Sequence, residues 1–168
     1  MDNRIISKLY TMYGKELYLY LYSLCHNSSM AEDLLQETFL KAMLSLNETH
    51  TNMRAWLYLV ARNLSFNRLK QEKRISSLEL VDNELLIDES ADVIGKILLD
   101  ERTKHLYQAL SKLSGQKKEV LTMQYFGGLS QKEIAEVLHL TPENVRVISY
   151  RAKRELKLYM EEDDHDLS

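Results

Sequence analysis

In the stretch LTPENVRVISYRAKREL, Leu140 to Leu156, the cations Arg146, Arg151, Lys153 and Arg154 crowd into little more than two helical turns. Guanidinium and ammonium groups at this density suit phosphate oxygens, and arginine also matches the paired acceptors on the major-groove edge of guanine. That chemistry needs the cations on one side of a stiff element. Thr141 has the side chain of an N-cap, and Pro142 suits a first helical position, where its missing N–H costs nothing. Steps of about 100° per residue then place Val145, Ile148, Ala152, Leu156 and Tyr159 on one face. Arg146, Tyr150, Lys153, Arg154 and Lys157 fall on the other, so one side packs and the other is cationic.

The segment before it, LSQKEIAEVLHL, holds Ser130 and Glu133 at capping-box spacing and predicts a helix joined by a short connection to the cationic one. Two helices across a turn of a few residues, the second basic outside, describe a helix-turn-helix. The plainer alternative is a helical hairpin with a solvated basic face. Upstream, DERTKHLYQALSKLS and GQKKEVLTMQYFGG predict two more helices.

The N-terminal half carries different chemistry. SSMAEDLLQETFLKAMLSL opens with Ser29 and Glu32 at capping-box spacing, buries Leu34, Leu35, Phe39, Ala42 and Met43, and leaves Glu32, Asp33, Gln36, Glu37 and Lys41 outside. NETHTNM is polar and predicts a loop. RAWLYLVARNLSFNRLKQEKR predicts a long amphipathic helix whose basic residues become denser toward Arg74. LYLYLYSL, Leu17 to Leu24, alternates like a strand. Its surroundings, Ile5, Leu9, Met12, Tyr13, Leu17, Tyr20 and Leu24, recur at three and four, which predicts a helix whose tyrosines serve packing.

A net charge of −3 argues against a nucleic-acid partner only until the chain is divided. Residues 1–74 carry +3, 75–100 carry −6, 101–160 carry +5 and 161–168 carry −5. Two mildly basic blocks thus flank an acidic linker without sustained periodicity, and the tail EEDDHD is expected to be a disordered, solvated end. With 168 residues and 45% hydrophobic content the chain can bury a core, as one ordinary domain or two small ones. The single Cys25 excludes an internal disulfide, and His26, His50, His105, His139 and His165 show no zinc-ligand spacing. No metal or other cofactor is expected. Nor does a phosphate-cradling glycine loop or a nucleophile elbow suggest catalysis. The opening MDNRIISKLYTMYG has no basic region leading into an apolar run, and no eighteen apolar residues are consecutive, so a cytoplasmic location is expected.

The two blocks, in this order, resemble the group IV, or extracytoplasmic-function (ECF), sigma factors of bacterial RNA polymerase over roughly residues 5–160. AEDLLQETFLKA resembles the region 2.2 helix that binds the clamp helices of the polymerase β′ subunit, and RAWLYLVARNL the start of the helix that engages the minus-ten element. ALSKLSGQKKEVLTMQYFGGLSQKEIAEVL resembles region 4.1 and the first helix of the minus-thirty-five reader, with NVRVISYRAKREL as its recognition helix.

The resemblance implies an all-α protein of two small helical domains, 1–74 and 101–160, joined by a flexible acidic linker, 75–100, with the helix-turn-helix in the second and an acidic tail, 161–168. It implies core-polymerase binding through Asp33, Gln36 and Glu37. Arg62, Asn63, Asn67, Arg68 and Lys70 would contact the minus-ten element, whose non-template bases flip into a pocket bordered by the loop Asn47 to Asn52. Arg146, Tyr150, Arg151, Lys153 and Arg154 would contact the minus-thirty-five duplex. The implied partners are the β and β′ subunits of core polymerase, promoter DNA and an anti-sigma factor, often membrane-anchored, that answers an envelope or external stress. An operator-binding regulator independent of polymerase is the alternative function, and an all-helical interaction protein or an enzyme a third. The chain departs from the family pattern at Asn67, where Asp is frequent, in a shorter loop before Arg54, at RVIS where KSRL is common, at His139 in place of a turn glycine and at Ser114 in place of proline.

Overall fold

The computed structural model describes residues 2–47, 50–79 and 91–166. The chain divides into two compact units, Met1–Val93 and Ile94–Ser168. Among the described residues every regular element is helical.

Unit 1 begins with α1 (Asn3–Cys25), whose N-cap Asp2 accepts a hydrogen bond from the Arg4 amide at 3.0 Å. His26 ends it in the left-handed region at φ 53°, its N–H returning to the Tyr22 carbonyl. The chain then enters α2 (Ser28–Ser45) through Asn27, extended at φ −144°, whose Oδ1 accepts from the Met30 amide at 2.9 Å. This corrects the expected cap at Ser29. The reversal at His26 makes Asn27 the last extended residue, while Ser28 is already helical and meets the Tyr18 hydroxyl at 3.0 Å. Ser29 lies inside the first turn, where it has no capping role.

Helix α3 (Met53–Glu79) completes the unit, with Asn52 Oδ1 accepting from the Ala55 amide at 3.0 Å. Each of α1, α2 and α3 packs on the other two. Between two partners, α1 buries Leu17, Tyr18, Leu19, Tyr20 and Leu21 in succession. A helix covered around its circumference has no polar stripe, so the alternation of Leu and Tyr, strand-like on paper, sits comfortably in a helix. Leu34, Leu57, Tyr58 and Ala61 fill the same core, with Tyr20 and Tyr58 ring centroids 5.2 Å apart.

The stretch read as a linker is not structureless throughout. α3 continues past Arg74 to Glu79, and α4 occupies Ala91–Ile97. The remainder, 80–90, lies outside the described residues.

Unit 2 contains α5 (Glu101–Ser111), α6 (Gly115–Tyr125), α7 (Gln131–Leu138) and α8 (Pro142–Asp166). Its core joins Ala109, Leu110 and Leu113 from α5 and its following turn to Leu121 from α6 and Ala152 and Leu156 from α8. Ile134, Val137 and Val145 are buried as well. The helical reading of the tail changes: α8 runs on to Asp166 rather than dissolving after Met160. Tyr159 and Met160 still pack against the core, and an established helix adds residues at little further cost. Among the described residues no helix is long and apolar enough to cross a membrane.

Candidate nucleic-acid and polymerase interfaces

The helix-turn-helix is built by local hydrogen bonds that the residue types dictate. Ser130 Oγ accepts from the Glu133 amide at 3.1 Å while Glu133 Oε1 accepts from the Ser130 amide at 3.0 Å, closing the capping box of α7. α7 stops at His139, left-handed at φ 57°, and the Leu140 amide returns to the Ala135 carbonyl. Thr141 Oγ1 then accepts from the Asn144 amide at 3.2 Å and opens α8 at Pro142. A side chain in that left-handed conformation costs about 1–2 kcal/mol, which makes His139 a local strain point in the turn.

Two cross-braces hold α8. Ser149 Oγ donates to Gln124 Oε1 of α6 at 2.9 Å, and Lys117 Nζ lies 2.9 Å from Glu155 Oε2. The Tyr159 hydroxyl donates to the other Glu155 oxygen at 3.1 Å. The Lys117 hydrogen bond holds the Glu155 carboxyl below its ordinary pKa, and donation to Glu155 holds the Tyr159 hydroxyl above its own. Val145, Ala152 and Leu156 are buried beneath, with Ile148 half-buried. Arg146, Tyr150, Arg151, Lys153, Arg154 and Lys157 are all exposed on the opposite side, the Arg154 guanidinium 5.9 Å from the Tyr150 ring centroid. The five residues read from sequence for this helix thus share one outward surface, and Val147, 44% exposed, lies among them.

On α2, Asp33, Gln36 and Glu37 are exposed and share a face. So do Leu40, 50% exposed, and Leu44, 76% exposed, which the sequence reading did not single out. The same step of 100° per residue puts all five within about 100° of arc, so the periodicity contained this signal. The face is acidic at its N-terminal end and apolar at its C-terminal end.

On α3, Asn63, Asn67 and Lys70 are exposed together. Arg62 stacks its guanidinium 4.6 Å from the centroid of Phe66, itself 41% exposed and absent from the sequence reading. Arg68 stands apart. Helical periodicity turns it about 160° from Lys70, and its Nε lies 3.4 Å from Glu72 Oε1. The structure therefore brings four of the five expected residues to one side and leaves Arg68 on another.

The start of α3 is anchored by a group invisible in sequence spacing. Tyr58 donates to Glu16 Oε1 at 3.1 Å, and Arg54 Nε lies 3.3 Å from the same oxygen, too poorly aligned for a hydrogen bond. The Arg54 guanidinium also covers the Tyr13 ring at 4.8 Å. Burial pushes the Glu16 carboxyl up to about 7 against the opposing pull of Arg54 and the Tyr58 hydrogen bond. Burial, reinforced by Glu16, likewise raises the Tyr58 hydroxyl.

Known proteins share both blocks. Residues 9–75 match the family model for Sigma-70 region 2, and residues 104–156 match that for Sigma-70, region 4. The RNA polymerase sigma factor YlaC of Bacillus subtilis (strain 168) is 34% identical over 158 residues, covering 92% of this chain and 91% of that one. The chain belongs to the ECF sigma factors of bacterial RNA polymerase.

The ECF RNA polymerase sigma factor SigM of the same organism is 28% identical over 162 residues, covering 90% of this sigma factor and 93% of SigM. Among solved structures, the sigma factor RpoE in complex with the anti-sigma factor NepR from Bartonella quintana has the same fold. It gives a TM-score of 0.73 at 19% identity and covers 95% of this chain and 98% of that one. CnrH, solved with the cytosolic domain of CnrY, gives 0.68 at 22% identity, over 96% and 91% of the two chains. The α2 and α3 surfaces fall in the region 2 match, and the α8 surface in the region 4 match. A sigma factor is an initiation subunit that binds core polymerase and selects promoters.

Proposed function

We propose that this ECF sigma factor divides initiation among the three exposed surfaces. Residues 1–74 act as region 2, residues 101–160 as region 4, and residues 75–100 connect them. Asp33, Gln36 and Glu37, extended by Leu40 and Leu44, dock a helix of the polymerase β′ subunit. The acids steer a basic partner, and the leucines supply burial once it is seated. Asn63 and Asn67 hydrogen-bond unpaired bases of the minus-ten element, Phe66 under Arg62 offers a stacking surface, and Lys70 holds phosphate. Arg68, tied to Glu72, would reach DNA only by leaving that carboxylate. Arg146, Tyr150, Arg151, Lys153 and Arg154 engage the minus-thirty-five duplex, phosphates fixing register and base edges supplying choice.

Chemical opposition between faces carries this reading: α2 presents acid and leucine, while α8 presents arginine and lysine. A protein that only bound an operator would have no use for the first. The factor works in the cytoplasm, has no catalytic residues of its own, and is held inactive by an anti-sigma factor that covers these surfaces until an envelope or external stress releases it. The relatives solved with NepR and CnrY support that form of control.

The test is transcription in vitro with purified protein, core polymerase from a related bacterium and fragmented genomic DNA, mapping new RNA 5′ ends. Discrete starts sharing two spaced upstream motifs are expected. No stimulation by folded protein, with the core active on another sigma factor, would favour an operator-binding regulator.

A further inference from the structure

Single exposed apolar residues are ordinary on protein surfaces, so Val147 must be judged by its place. Over the first three turns of α8 the outward surface carries Glu143, Arg146, Val147, Tyr150 and Arg151, all exposed. Val147 stands about 100° around the helix from Arg146 and about 40° from Arg151. It is a β-branched side chain at an exposed helical position, where local propensity favours almost any straight-chain residue. Its neighbour Ile148 is half-buried and Val145 fully buried, so the hydrophobic seam is supplied without it.

In a helix-turn-helix the N-terminal residues of the second helix meet base edges. With arginines on either side drawn to phosphate or guanine, the short side chain between them faces the groove floor. That floor offers hydrogen-bonding atoms and one apolar group, the 5-methyl of thymine. Pressing a valine onto a donor or acceptor strips its water and returns nothing, whereas contact with the methyl buries two apolar surfaces.

We propose that Val147 is a specificity-determining residue that reads the 5-methyl group of a thymine in the upstream promoter element. This rests on the functional reading above. It assigns a role to one of the positions where the chain departs from the family pattern, and it ties promoter choice to a methyl group instead of a hydrogen bond.

The test uses the full-length protein with core polymerase on a promoter mapped as described. Each thymine of the upstream element, on either strand, is replaced in turn by deoxyuridine, which keeps base pairing and deletes only the methyl. Initiation by the unaltered protein should fall about fourfold at one of these positions, the equivalent of one buried methyl group. Val147→Ala, an exposed substitution by a better helix former, should initiate equally well with thymine or uracil there. Uracil tolerated at every position, or an upstream element lacking thymine, overturns the proposal. So does discrimination that persists in V147A, and loss of discrimination in Y150A instead would assign the contact to Tyr150. Absence of initiation from any promoter by the unaltered protein would instead overturn the functional reading, and this inference with it.

Discussion

The two long helices α3 and α8 each bury one side and expose the other, and the exposed sides, both assigned to DNA in the function proposed above, differ in chemistry. The α3 surface is amide and aromatic: Asn63, Asn67 and the Arg62–Phe66 stack, with Lys70 at its margin. The α8 surface is chiefly cationic. An unpaired base exposes a π-face and its Watson–Crick edge, which amides and rings can meet; a duplex presents phosphates and groove edges, which arginine and lysine can meet. They are also anchored differently. The middle of α8 is braced by Lys117–Glu155 and Ser149–Gln124, whereas α3 starts from the half-buried Glu16–Tyr58–Arg54 group. Of these anchoring groups, the Glu16 carboxyl titrates near neutrality.

Charge reversal on the third surface should have the largest effect and leave the contrast between α3 and α8 intact. D33K with E37K should weaken core-polymerase binding by about 2–4 kcal/mol, read as a Kd by fluorescence anisotropy, with an unchanged circular dichroism spectrum. An unchanged Kd would remove these acids from the interface. Next in size, R151A should cost about 1–3 kcal/mol in transcription that depends on the upstream element and reduce its salt dependence, while core binding persists.

Glu16 is the test of the anchors. Its folded carboxyl keeps a proton up to about pH 7, whereas the unfolded side chain releases it near 4.5, so between those values the folded state binds more protons. The contribution is therefore complete below about pH 4.5 and lost as pH rises through about 7. Trp56, the single tryptophan, lies on α3 and reports unit 1 separately from unit 2. Urea unfolding followed by its fluorescence should show unit 1 losing about 1–2 kcal/mol between pH 5.5 and 8, part of what the full shift would carry because that window opens about a unit above the unfolded value. E16Q should flatten that dependence; an equal slope in E16Q would assign it elsewhere.

N63A should slow promoter opening by about 1 kcal/mol, seen as weaker permanganate reactivity of the melted strand, without changing the salt dependence. An altered salt slope would erase the distinction between amide and cationic readers. The smallest effect is expected at the turn: H139G should stabilise unit 2 by about 0.5 kcal/mol, the relief of the left-handed side chain less the entropy of glycine, measured by amide hydrogen exchange.

Sequence periodicity reached far in this chain because helices repeat their neighbours every three or four residues. The Thr141–Pro142 start, the Ser130–Glu133 box and the packing face of α8 were all legible, being local. The cap of α2 was misread because Asn27 and Ser29 are both good caps, and only the reversal at His26 selects between them. Leu40 and Leu44 were within reach of the same arithmetic, but exposed leucines do not advertise themselves in a helix that also has a leucine core. The Glu16 group was beyond it. Its partners are 38 and 42 residues away, and no local pattern records which helices meet.

The charges along α8 give that helix a direction. Cations crowd from Arg146 to Lys157, while Glu161 and Glu162 stand exposed beyond them, at the end where the backbone carbonyls add their own negative pole. A polyanion approaching such a helix is drawn to one end and turned away from the other. With α8 as the duplex reader proposed above, that polarity would discourage wrong-way encounters before any base is touched.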